Sequence, residues 1–110
     1  MLKEAGIDFD ALKVWGINPL VLADNLLASG LVLNDDIKWI TYHGAFDFAY
    51  LLKVLTNCQL PGTMNEFESG IKVFFPQMLD AKIIAASLES VRGSSLQKLG
   101  NNLGVFPSPF

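Results

Sequence analysis

Apolar residues recur along this chain in two rhythms, and the switches between them mark its elements. Val21, Leu22, Ala23, Leu26 and Leu27 repeat at helical spacing behind Asn18-Pro19, a cap residue before a first-turn proline. With Gly30 as the stop, the spacing predicts a helix over 19–29. Asn34-Asp35-Asp36 then reads as a turn, and Ile37-Lys38-Trp39-Ile40-Thr41-Tyr42 is rich in β-branched and aromatic residues, which predicts a largely buried strand. After His43 and Gly44 the helical period returns. Phe48, Leu51, Leu52 and Leu55 fall on one face of a helix ending near Asn57, and Pro61 shuts it off.

Thr63 and Glu66 stand at capping-box spacing ahead of Phe67, Ile71 and Phe74, so a further helix is expected over 64–75, before Pro76. Met78-Leu79-Asp80 predicts a short strand, followed by a helix through Ile83, Ile84 and Leu88. Ser95 caps a last helix carrying Leu96, Leu99 and Leu103, closed by Gly104. Residues 1–17, mixed around Gly6 and Gly16, predict an irregular approach with at most a helical turn, and the proline-rich 106–110 predicts an irregular tail. Strands followed by helices imply an α/β fold with parallel strands, helix-rich and short of strands for a full sheet.

Composition narrows the class. A hydrophobic content of 51% with 17% charged residues suits one packed domain over 1–105 and argues against intrinsic disorder. No apolar run approaches the roughly 18 residues that a membrane span needs, so no membrane partner is expected. A soluble protein inside the cell is the expectation. The single cysteine, Cys58, has no partner for a disulfide or a zinc knuckle and is read as a small buried hydrophobe. With a net charge of −3, contact with nucleic acid has to be local and helped by divalent cations.

The chemistry-bearing stretch is His43-Gly44-Ala45-Phe46-Asp47-Phe48, where a strand passes into a helix. Ligands of open α/β sheets gather beyond the carboxyl ends of the strands. Asp47 admits two roles on local pattern: an acid favoured by the positive end of a helix, or a metal ligand. Asp80, after a short apolar run and before a helix, is placed either to cap that helix or to face a site and is read first as a cap; His43, the lone histidine, has the chemistry of a base or ligand but is read as a hydrogen-bonded structural residue beside buried aromatics. Trp39, Phe46, Phe48, Phe74 and Phe75 are read as core rather than as stacking platforms for bases. There is no Gly-rich phosphate loop, no Cys/His metal cluster and no nucleophile elbow.

Residues 29–61, 74–84 and 94–105 together resemble the CAF/POP-type deadenylases, catalytic subunits of the CCR–NOT complex. The most specific match is W-I-T-Y-H-G-A-F-D-F-A-Y-L-L-K, similar to the family's W-x-[ST]-F-H-x-x-Y-D-F-G-Y-L, with Tyr42, Phe46 and Ala49 as departures. The resemblance spans 5–105 and implies a partial RNase H-like fold in which four acids, DEDD, hold two divalent ions (Mg, Mn or Zn). It implies 3′-to-5′ removal of poly(A) in cytoplasm and nucleus, with poly(A) RNA, the NOT scaffold and CCR-type nuclease subunits as partners, and no DNA. Asp47 matches the third acid and is the catalytic and metal residue expected here. The family's Asp-x-Glu pair lies on an earlier strand, and its fourth acid with a nearby histidine follows the last matched helix; this sequence holds no counterpart of either. The helix bearing Leu22, Leu26 and Ala28 is where the resemblance implies scaffold contact. Two functions are therefore open: part of a poly(A)-specific exoribonuclease, inactive in isolation, or a non-catalytic module that binds scaffold or RNA.

Overall fold

Local signals start and stop the helices as the residues dictate, in a computed structural model that describes residues 2–89, 92–93 and 95–105. The expected tail at 106–110 lies outside the described residues. α1 (Phe9–Trp15) is followed by α2 (Pro19–Ser29), whose first turn is capped by Asn18 accepting from the Leu20 amide at 2.9 Å. Gly30 leaves α2 at φ 80, a left-handed conformation that glycine adopts without a Cβ penalty. β1 (Lys38–Thr41) leads into α3 (Ala45–Thr56), then α4 (Met64–Phe74), where the Thr63 side chain accepts from the Glu66 amide as the capping box predicts. β2 (Gln77–Asp80), α5 (Ala81–Ala86) and α6 (Leu96–Asn102) complete the order, with Ser95 capping α6.

β1 and β2 pair in parallel, Lys38 opposite Gln77 and Thr41 opposite Asp80, so α3 and α4 form the crossover between them. Helices and strands meet in one core of Val32, Phe48, Leu52, Leu55, Ile71 and Phe75, flanked by Leu26, Trp39, Leu51, Phe67 and Phe74. Its centre is aromatic. Phe75, 1% exposed, meets Phe48 and Trp39 edge-on at centroid distances of 4.7 and 5.1 Å. Trp39 also donates its Nε1–H to the Leu31 carbonyl, which ties β1 to the chain leaving α2. A second, smaller cluster joins Ala85 of α5 and Leu99 of α6, with Tyr42 packed against it.

Four expectations are corrected. Residues 9–15 form a true helix because Asp8 caps it, accepting from the Ala11 amide at 3.0 Å, although α1 buries none of its residues. β1 is covered on one face only: Trp39 and Thr41 are half-buried, whereas Lys38 and Ile40 are exposed. α5 ends at Ala86 and leaves Leu88 outside, with Ser87 turning its hydroxyl onto the Ile84 carbonyl. Cys58 is exposed just beyond the left-handed Asn57 that ends α3.

Candidate functional site at the strand ends

Both strands end at the same edge of the sheet, and both feed a helix there. The carboxylate of Asp80, last residue of β2, collects three backbone amides: Oδ1 accepts from His43 and Lys82, each at 2.9 Å, and Oδ2 accepts from Gly44 at 3.1 Å. The Lys82 bond caps α5 as the sequence leads one to expect. The bonds to His43 and Gly44 reach across the sheet and belong to no local motif. Partial burial pushes the Asp80 carboxyl up, but the three amide donors and the nearby His43 outweigh it and hold the group below its ordinary range.

The β1–α3 turn held in this way is narrow. His43 adopts a left-handed φ of 57, uncommon for a residue with a side chain, and its ring side is exposed. That corrects the expectation of a histidine set among buried aromatics: its backbone, rather than its imidazole, makes the structural contact. Gly44 is required for space, since a Cβ there would lie 2.7 Å from Cβ and 2.9 Å from Oγ1 of Thr41. Behind the turn, Lys82 sits over the Tyr42 ring at 5.8 Å.

Asp47 lies in the first turn of α3 and is exposed, as the change of period across Gly44 predicts. Its carboxylate can reach a ligand in solvent. Among the described residues, however, no group of three or more His, Cys, Asp or Glu side chains stands together to hold an ion. A pair of divalent ions needs several carboxylates around it. The donors of this chain do not by themselves fit such a pair; Asp47 can supply one of them.

The neighbouring apolar residues take different places. Phe48 is buried and Phe46 is 74% exposed, so the core reading holds for the first and fails for the second. Between α3, α4 and the strand ends runs a cleft of about 480 Å³, its apolar lining including Phe48, Phe67 and Ile71 and its charged lining Glu68, Lys72 and Asp80. On α2, Leu22 is half-buried, Leu26 packs against the core and Ala28 is exposed. The exposed apolar side chains of that helix are Leu20, Val21 and Leu27. No described helix is long and apolar enough to cross a membrane.

Residues 25–107 match the CAF1 family ribonuclease. The chain is 40% identical over 105 residues to the probable CCR4-associated factor 1 homolog 7 of Arabidopsis thaliana, and 38% identical over 105 residues to the poly(A) ribonuclease pop2 of Schizosaccharomyces pombe. Both matches take in 96% of this chain, which spans 38% and 31% of those two proteins. Its fold matches S. pombe Pop2p in a Mg2+ and Mn2+ bound form with a TM-score of 0.87 and 38% identity, over 94% of this chain and 41% of that one. It also matches a structure of the yeast NOT1 MIF4G domain co-crystallized with CAF1, with a TM-score of 0.83 and 30% identity, over 96% of this chain and 41% of that one.

Proposed function

We propose, on the premise that this chain belongs to the CAF1 family of ribonucleases, that it forms part of a 3′-to-5′ poly(A) exoribonuclease and contributes Asp47 to its metal site. The observation that carries the proposal is the exposed Asp47 in the first turn of α3, at the carboxyl end of a parallel strand, within the segment that matches the family. Divalent ions such as Mg or Mn, when bound, would activate water and stabilise the charge that develops on the phosphodiester. What this chain's residues do is narrower. Asp47 offers an acceptor-only carboxylate, α3 projects it from the sheet edge, and the aromatic core behind keeps that helix rigid.

A hybrid tests this directly. Residues 25–107 are placed in the matching segment of S. pombe Pop2, and release of AMP from RNA ending in poly(A) is measured. The hybrid should trim, and Asp47→Ala should reduce trimming by more than about 100-fold, because even partners behind a metal ligand are worth about 10–100-fold. Trimming that survives Asp47→Ala would sink the assignment. The 110-residue chain alone should release no AMP, since one carboxylate cannot hold two ions.

A second reading concerns the scaffold. The relation to a CAF1 chain crystallized with the NOT1 MIF4G domain, and the exposed Leu20, Val21 and Leu27 of α2, support attachment to a NOT-type scaffold through that helix. Leu22 and Ala28 border this surface, while Leu26 supports it from the core side. Pull-down of the MIF4G domain by this chain, and its loss with Val21→Glu, is the expected outcome; unchanged binding would move the contact elsewhere. The same reading has the protein work in cytoplasm and nucleus, alongside CCR-type nuclease subunits, wherever poly(A)-tailed RNA is found.

A further inference from the structure

We infer that Asp80 is the positioning residue of the site: its carboxylate, acting across the sheet, sets the direction in which α3 leaves β1 and hence where Asp47 is presented. The inference rests on the reading of Asp47 as a site residue. α3 is unusual among the helices described above in lacking a cap of its own. Its N-cap is Gly44, with no side-chain cap bond, whereas α2, α4, α5 and α6 each begin with a side chain that accepts an amide. The groups leading into α3, the His43 and Gly44 amides, are instead taken by Asp80, which lies 36 residues from Gly44 in sequence.

Two further constraints make this carboxylate decisive. His43 is held at a φ of 57, which costs free energy for a residue with a Cβ and persists only where the surroundings impose it. Gly44 is packed so closely on Thr41 that the turn has little freedom to adjust. Thr41 is also the ladder partner of Asp80, so the acceptor and the turn it grips sit at one rung of the sheet. Asp47 follows three residues after Gly44, less than one helical turn, and any swing of the α3 start carries its carboxylate along. Asp80 need not touch a ligand to control where one binds.

Amide hydrogen exchange and residual dipolar couplings on the 110-residue chain test this, and neither readout involves a metal ion, so the result stands whatever Asp47 binds. In Asp80→Ala, exchange of the His43 and Gly44 amides should rise about tenfold beyond any change at Trp39 and Ile40, and the couplings of α3 should show it rotated against β1. Asp80→Asn serves if the alanine variant does not fold. An asparagine keeps one acceptor oxygen, which the two Oδ1 donors should claim, and turns an NH2 toward the third. Exchange at Gly44 should then rise while His43 and Lys82 stay protected. Equal exchange changes at turn and strand, an unrotated α3, or equal behaviour of the three amides in Asp80→Asn would each overturn the inference.

Discussion

Trp39 and Ile40 are neighbours in one strand with opposite surroundings. Trp39 packs edge-on against both Phe48 and Phe75, while Ile40, 66% exposed, lies beside its ladder partner Leu79 on the other face. Parallel strands are ordinarily covered on both faces, and a run such as Trp-Ile-Thr-Tyr is composed for that setting. The covered face is built by this chain's own α3 and α4. Among the described residues the other face, which carries Lys38 and Gln77 beside Ile40 and Leu79, is left exposed, in a chain that spans 41% of the S. pombe Pop2p chain whose fold it matches. Composition therefore reports the environment a strand is made for, and coordinates report how much of that environment 110 residues supply.

The sharpest way to break the comparison is at the closed face. Phe75→Ala removes the side chain at the centre of the aromatic cluster and should cost about 3–5 kcal/mol, comparable with the whole stability of a small domain. Urea denaturation followed by circular dichroism should show the cooperative transition weakened or gone; a loss within about 0.5 kcal/mol, the range of an exposed position, would mean that the core lies elsewhere.

Gly44→Ala comes next. The new methyl has to displace Thr41, and overpacking of this kind should cost about 1–3 kcal/mol by the same measurement. An unaffected midpoint would show the turn to be looser than its geometry.

Acidification probes the strand ends. Because the folded pKa of Asp80 lies below the ordinary 3.8, its contribution is complete above that value and is lost as pH falls through the depressed one. The titratable groups that share this region are His43 and Lys82. The gap in urea midpoint between the native chain and Asp80→Asn should not shrink from neutral pH down to about pH 4 and should narrow below it. A gap that does not narrow in acid would remove the charge from the account.

The smallest effect on stability belongs to the bare face, where it sharpens the contrast. Ile40→Lys should change stability by less than about 0.5 kcal/mol yet reduce self-association in light scattering, since a charged residue on an open strand discourages pairing. Monomeric behaviour of the native chain at the same concentration would show that the face is not sticky.

How much of this was legible follows from where each signal resides. α2 and α4 were readable to within a residue at either end, because Asn18, Pro19, Gly30, Thr63 and Glu66 act within one turn of themselves. α1 was missed since its apolar residues bury nothing and only Asp8 marks its start. The strand of 37–42 was recognised but its burial was not, because an apolar run does not say which face is covered. At the site, the change of period across Gly44 places Asp47 in the first turn of α3, whereas its reading as a metal residue comes from the family resemblance and from no local pattern. Asp80 is legible as a cap or as a residue facing the site, but its grip on the β1–α3 turn is not: its bonds to His43 and Gly44 span 37 and 36 residues, and no local pattern encodes a contact of that range.

The position of Trp39 has an optical consequence. Its indole donates to the Leu31 carbonyl and packs edge-on against two phenyl rings, whereas Trp15, the other tryptophan, is 85% exposed on α1. An indole in apolar surroundings emits at shorter wavelength than one in water and is sheltered from iodide. Trp15→Phe would therefore leave a single tryptophan, at the junction of β1, α3 and the residue after α4, so that with excitation selective for indole the separation of these elements becomes visible as a shift in colour.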